Sequence, residues 1–354
     1  MLAGIKIIDF TRYFPGPVAT LRLAERGAEV IKIEEPTGDP ARFMDMINGE
    51  EGCIFRSQNR GKKSVALDLK KNDQLEKALE LIRTADVVIE SFRPGVPKKL
   101  GIDYRSLIEI NPSLVYCSLS GFGQNTSISH LGGHDLNYLA LSGVLAQLTD
   151  AQGRPIKPNI AMADLLGGIV ASEEILAGLV QRERTGKGVY LDVSITETML
   201  SWMGLHVSHQ SVTGEEHGIN DHGISYYIYE TKDQRYMTIG AIEDKFWNNF
   251  CKAVERKDLI QGHKTQPHPD NPYYQKMVKL FKSRTFSEWT EFSTRVDCCM
   301  APVLQTSELK HQVPFQERQF IEHKWGLDYV ATSYMQEKSF LDFPNPFPKL
   351  GEHN

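Results

Sequence analysis

No uninterrupted apolar run in this chain approaches the roughly 18 residues that mark a bilayer-spanning helix. The longest candidate, residues 165–180, is broken by Glu173 and Glu174. The N-terminus lacks a charged segment followed by an apolar core and a cleavage site, so no signal peptide is expected. A basic excess is also missing. Lys and Arg number 40 against 45 Asp and Glu, a net charge of −5, and no global field draws the chain to nucleic acid or acidic membranes. Local basic clusters can still hold a phosphate-bearing small molecule. Cysteine is scarce: five residues, at 53, 117, 251, 298 and 299, with no CxxC spacing. The odd number and the poorly placed neighbours Cys298 and Cys299 point to a reduced, cytoplasmic compartment and to no metal site. Nucleotide fingerprints are absent as well. No GxGxxG follows the first strand and no GxxxxGK[ST] occurs; Phe14-Pro15-Gly16-Pro17 is too poor in glycine, which argues against a simple NAD enzyme.

What is present is an alternating pattern. The apolar and charged fractions, 41% and 24%, are those of an ordinary globular protein, and 354 residues suggest two domains. Strands are expected at 5–10, 28–34, 64–69, 86–90, 114–119 and 189–193. Helices fall between them at 18–25, 73–82 (with Asp73 as N-cap) and 104–110, and as long apolar runs after His134 and Asp164. Strand, helix and parallel strand in succession predict an α/β fold with a Rossmann-like parallel sheet. Past residue 200 the pattern changes: a polar, histidine-containing stretch reads as a linker. A hairpin at 226–230 and 236–239 and helices at 245–254 and 271–281 follow, predicting a smaller α+β unit.

Candidate chemistry sits at the edges of this pattern. In an open α/β sheet, ligands bind beyond the carboxyl ends of the strands. Arg42, Arg93 and Lys99 follow such ends, and Arg60 precedes the third strand; each could grip a phosphate or be a solvated surface charge. His134, beside Asp135, heads an apolar helical run and is the residue type suited to proton transfer near neutral pH. Asp164 opens another such run, at Asp164-Leu165-Leu166-Gly167-Gly168. An aspartate there can be an ordinary N-cap, a base assisted by helix amides that stabilise an enolate oxygen, or a nucleophile toward a thioester. Glu243, after the hairpin, can cap the next helix or polarise a histidine across a domain or subunit boundary.

Several segments carry a family resemblance: Leu2-Ala3-Gly4-Ile5-Lys6-Ile7-Ile8-Asp9-Phe10, Gly27-Ala28-Glu29-Val30-Ile31-Lys32-Ile33-Glu34, Phe92-Arg93-Pro94-Gly95-Val96, Ser120-Gly121-Phe122-Gly123-Gln124, Thr185-Gly186-Lys187-Gly188 and Ala301-Pro302-Val303. With them the chain resembles the family III CoA-transferases (CaiB/BaiF-like). Gly133-His134-Asp135-Leu136-Asn137-Tyr138 looks like the α-methylacyl-CoA racemase branch of that superfamily. The resemblance implies a large CoA-binding domain, 1–198 completed by 328–354, a linker at 199–224 and a small α+β domain at 225–327. It implies an interlocked homodimer whose active site lies between the large domain of one subunit and the small domain of the other. It also implies His134, Asp164 and Glu243 as catalytic groups, with CoA held near Arg42, Arg60, Arg93 and Lys99. No cofactor is implied beyond coenzyme A as part of the substrate. Ile160 stands where racemases of this type commonly carry an asparagine, with Asn159 one place earlier. The implied activity is epimerisation at the carbon α to an acyl-CoA thioester by 1,1-proton transfer. A CoA-transferase with Asp164 as nucleophile is the alternative, and a non-catalytic acyl-CoA-binding protein a second one.

Overall fold

A computed structural model describes all residues except 47, 48, 151, 217, 219–221, 333–341, 344 and 345. Parts of the expected linker and C-terminal segment therefore lie outside the described residues. The chain divides into two compact units, Met1–Ser208 with Gln319–Asn354, and His209–Arg318.

The first unit is built on a parallel six-stranded sheet of order β3-β2-β1-β4-β5-β6. In chain order its elements are β1 (Lys6–Asp9), α1 (Pro15–Ala24), β2 (Glu29–Glu34), α2 (Cys53–Gln58), β3 (Lys63–Ala66), α3 (Asn72–Arg83), β4 (Val87–Glu90), α4 (Val96–Leu100), α5 (Tyr104–Ile108), β5 (Val115–Ser120), α6 (Asp135–Leu141), α7 (Val144–Gln147), α8 (Met162–Thr185), β6 (Val189–Ser194) and α9 (Ile195–Trp202). Strands such as β4 are buried along their whole length because helices cover both faces. One face carries a core of Ile7, Leu23, Val87, Ile89, Cys117 and Ile175, and the other a core of Ile8, Ile31, Val88, Ile82 and Tyr116.

Helix α8 is the long spine of the first face. At Gly168 an added Cβ would come within 2.4 Å of the Pro15 carbonyl oxygen. The two glycines of Asp164-Leu165-Leu166-Gly167-Gly168 thus serve close approach of helices, with Gly167 against Ile195 and Gly168 against α1. Three local expectations differ from what is observed. The single helix expected after His134 is broken at Gly143, which has φ +84° and separates α6 from α7. The N-cap of α3 is Lys71, and Asp73 sits inside the first turn. The stretch read as a linker at 199–224 is helical over much of its length, within α9 and then α10 (Gly204–Thr213).

The second unit holds an antiparallel sheet of β7 (Tyr226–Glu230), β8 (Tyr236–Gly240) and β9 (Met300–Pro302), with α11 (Asp244–Ala253), α12 (Pro272–Phe281) and α13 (Phe286–Arg295). Its core is aromatic: Tyr229 stacks on Phe281 at 4.5 Å, and Phe281 on Trp289 at 4.8 Å. His263 bridges the Ala241 carbonyl (2.8 Å) and Asp244 (2.9 Å), fixing the start of α11. Past the second unit the chain returns to the first in a hairpin, Ile321–Lys324 paired with Leu327–Val330.

Candidate active site

The order of the large sheet reverses between β1 and β4, and a crevice opens where connections leave in opposite directions. A cavity of about 970 Å³ lies there. The loops after β1, β4 and β5 line it, together with the starts of α6 and α8; Arg12, Tyr13, Arg93, His134, Asn137 and Asp164 face it. All belong to the first unit.

His134 is the N-cap of α6, with extended backbone (φ −135°, ψ 172°). Its N–H donates to the Asn137 side-chain oxygen at 3.0 Å. The Tyr138 hydroxyl donates to the Gly133 carbonyl at 2.6 Å. The Tyr138 ring lies so close under the backbone that a Cβ at Gly121 or Gly133 would come within 2.8 Å of it. The loop presenting His134 is therefore clamped from below.

Asp164 is not the N-cap that its sequence position suggests. Helix α8 begins at Met162, which places Asp164 in the third position of the first turn. The cap comes from another helix: Asp135 Oδ1 accepts from the N–H groups of Ala163 (2.7 Å) and Asp164 (3.0 Å). Met162 N–H donates to the Ile160 carbonyl, and Leu165 N–H to the Ala161 carbonyl. The opening amides of α8 are thus all engaged, and the expectation that they stabilise an enolate oxygen is corrected. Among the described residues no hydrogen bond reaches the Asp164 carboxylate, and neither Asn159 nor Ile160 supplies one. Burial, and then the charge of Asp135, push the Asp164 carboxyl up to about 6, against a smaller opposing effect of His134. Burial, with Asp164 and Asp135 nearby, likewise raises the Tyr138 phenol to about 12.

The four expected phosphate-binding cations fall into different surroundings. Arg42 is 2% exposed. Its guanidinium takes both oxygens of Glu34 (2.7 and 2.6 Å), Glu51 (2.5 Å) and the Pro348 carbonyl, and it lies 3.7 Å over the Phe55 ring. Arg60, equally buried, is bonded to Glu25, Ser57 and the Val330 carbonyl. Both are core groups that do not line the cavity, so placing CoA phosphates on them is corrected: their charge and donors serve the protein's own carboxylates and carbonyls. Lys99 is exposed on α4 and is not on the cavity wall. Arg93 is exposed, lines the cavity and rests against Gly132, where a Cβ would meet its Nη2 at 2.9 Å.

Residues that sequence reasoning passed over complete the wall. Tyr13 adopts a left-handed conformation (φ 64°), with its N–H donating to Asp39 at 3.1 Å, and its exposed ring faces the cavity. Arg12 lies over the Phe92 ring and pairs with Glu35 at 3.4 Å. Both stand directly after the first strand, and that position was the available signal. Arg12 and Phe92 also line a second crevice of about 260 Å³ at the carboxyl ends of β1, β2 and β3, with Lys70 on its rim. In the second unit Glu243 stands at the N-cap position of α11, exposed, with no cap hydrogen bond from its side chain.

The model of CoA-transferase family III matches residues 2–354. The succinyl-CoA:glutarate CoA-transferase of Homo sapiens is 33% identical over 297 residues, 82% of this chain and 67% of that protein. The α-methylacyl-CoA racemase of Mus musculus is 31% identical over 358 residues, 99% of this chain and 86% of that protein. Among solved structures, a CAIB/BAIF family protein from Brucella suis superposes with a TM-score of 0.87 at 25% identity, over 99% of this chain and 97% of that one. Rv3272 from M. tuberculosis gives 0.85 at 27% identity, over 100% and 98%.

Proposed function

The chain belongs to CoA-transferase family III, and we propose that within it the protein is an acyl-CoA racemase of the α-methylacyl type. The observation that carries this proposal is the meeting of His134 and Asp164 on one cavity, the latter with a carboxyl near 6. A histidine and a carboxyl that face one cavity suit removal of an α-proton on one face of a planar enolate and its return on the other. His134 takes the proton in one direction and Asp164 in the other. The opening amides of α8 are taken by Asp135 and by local carbonyls, so they are not available to the enolate oxygen. No step calls for a group beyond the acyl-CoA itself.

Coenzyme A is placed with its phosphates between Arg93 and Arg12 and its nucleotide toward the crevice beside Lys70. Arg93→Ala is expected to raise KM for acyl-CoA about tenfold, the loss of one charge-assisted contact, with little change in kcat. Steady-state kinetics check this; an unchanged KM would remove Arg93 from the binding site.

Glu243 is assigned to a second copy of the chain, where it pairs with protonated His134. Support comes from the family resemblance and from exposed apolar side chains on α9 and α10: Leu200 (49% exposed), Trp202 (51%) and Leu205 (57%). In such a homodimer, co-expressed His134→Ala and Glu243→Gln chains form mixed dimers with one intact site. Activity above that of either variant alone is expected, and its absence would remove Glu243 from the site.

The transferase alternative is favoured by the succinyl-CoA:glutarate CoA-transferase relative and by the missing asparagine at Ile160. Incubation with a chiral 2-methylacyl-CoA in D₂O, without acceptor acid, separates the two. Deuterium uptake with loss of stereochemistry supports racemisation. CoA transfer to added carboxylic acids without uptake would establish Asp164 as a nucleophile.

A further inference from the structure

Asp135 stands between the two helices that present His134 and Asp164, and the chemistry so far gives its carboxylate no part. It is the first residue of α6, directly after His134. Its Oδ1 bonds the N–H groups of Ala163 and Asp164, 28 and 29 residues away. In an ordinary first turn, an aspartate in the third position draws on the helix's own free amides and on its positive end, and both hold its carboxyl down. Here the amides are occupied and a second negative charge sits at that end.

We propose that Asp135 is a positioning residue that denies Asp164 the amides of its own helix, fixes α8 to the His134 loop, and so holds Asp164 as a reversible proton carrier. The proposal rests on the racemase function and deepens it. A carboxylate that collected helix amides would be a weak base and would rarely hold a proton at neutral pH. A carboxyl with no donor, partly buried beside a like charge, both takes and returns one. The upward displacement of Asp164 agrees with this arrangement. The groups facing Asp164 are His134, Asp135 and Tyr138 from α6 and, across the cavity, Arg12, Tyr13 and Arg93. Of these, Asp135 alone is a second carboxyl group, and it is tied to the backbone of Asp164. The same residue links the two catalytic positions mechanically, since His134 and Asp135 are consecutive.

The test reads Asp164 without substrate. In full-length protein labelled with ¹³C at the aspartate carboxyls, the Asp164 resonance is assigned by its loss in Asp164→Asn and titrated. Asp135→Asn keeps an oxygen for the two amides and removes the charge. Asp135→Ala removes both and serves as the second variant. In each the Asp164 midpoint is expected to move down by about one pH unit, the effect of a like charge a few ångströms away. Whichever limb of the kcat/KM profile reports Asp164 should move to lower pH with it. An unmoved midpoint accompanied by a lower Tm would overturn the proposal and make Asp135 a helix cap only. Because the titration needs no turnover, its outcome stands apart from the deuterium exchange that tests the racemase function.

Discussion

Replacing Asp164 with asparagine, or His134 with alanine, is expected to lower α-proton exchange by about 10²- to 10⁴-fold, the usual contribution of a positioned acid or base. The two variants differ in what survives. If the protein is a racemase, each abolishes epimerisation because a proton must pass on both faces. If Asp164 instead attacked the thioester, Asp164→Asn alone would be inactive, His134→Ala would still transfer CoA, and covalent CoA would be found on Asp164 in the wild type. The pH dependence has a definite sign. With the Asp164 carboxyl near 6, the direction in which it acts as base should weaken as pH falls through about 6. The direction in which it acts as acid should weaken as pH rises through the same point. The contribution of Asp164 to stability also falls as pH rises through that point. The folded-state pKa of Asp164 lies above its unfolded value, so its ionisation at neutral pH opposes folding. Asp164→Asn is therefore expected to unfold at no lower temperature than wild type at pH 7, and a clear loss of Tm would show that the carboxylate also holds the fold.

Arg42→Ala is expected to cost about 3–5 kcal/mol of stability, the consequence of leaving a buried carboxylate without its counter-charge. Glu34 is the group left exposed to that loss. It also accepts from the Ser64 hydroxyl at 2.6 Å and the Asp39 N–H at 3.0 Å, and it cannot turn to water. Lys32 and Asp39, themselves paired at 2.9 Å inside the same network, would be disturbed with it. Urea unfolding checks the figure. Arg93→Ala, at an exposed position, should fall within about 0.5 kcal/mol of wild type. A stable Arg42→Ala protein with a raised KM for acyl-CoA would mean that Arg42 leaves its core partners to bind the ligand.

The contrast between these two arginines shows where local sequence stops being informative. Both follow the carboxyl end of a strand and both are flanked by turn residues. The partners that take Arg42 out of reach, Glu51 and the Pro348 carbonyl, lie 9 and 306 positions away. No short-range pattern distinguishes it from Arg93. Lys62, just before the third strand, behaves alike. Lys62 is buried with its ammonium bonded to Asn59, Thr20 and the Pro17 carbonyl, and burial lowers it to about 7. This cation before β3 is internal scaffolding tied to α1.

The six strands of the parallel sheet, the β7–β8 hairpin and helices such as α1, α3, α8, α11 and α12 were legible because they depend on neighbours a few residues apart, whereas β9 and the hairpin at 321–330 were not read. Continuous apolar runs suit strands covered on both faces, and glycines such as Gly186 stop helices where only a left-handed residue fits. His134 and Asp164 were legible as helix-start residues for the same reason, and their chemistry follows from residue type. Whether the two face one cavity, which residue caps α8, and which cations remain available to a ligand were decided by chain segments that meet only after the sheet has formed. A carboxyl's proton affinity depends on the charges and donors within a few ångströms of it. For Asp164 those belong to Asp135, whose approach is a property of packed helices and not of the residues beside it in the chain.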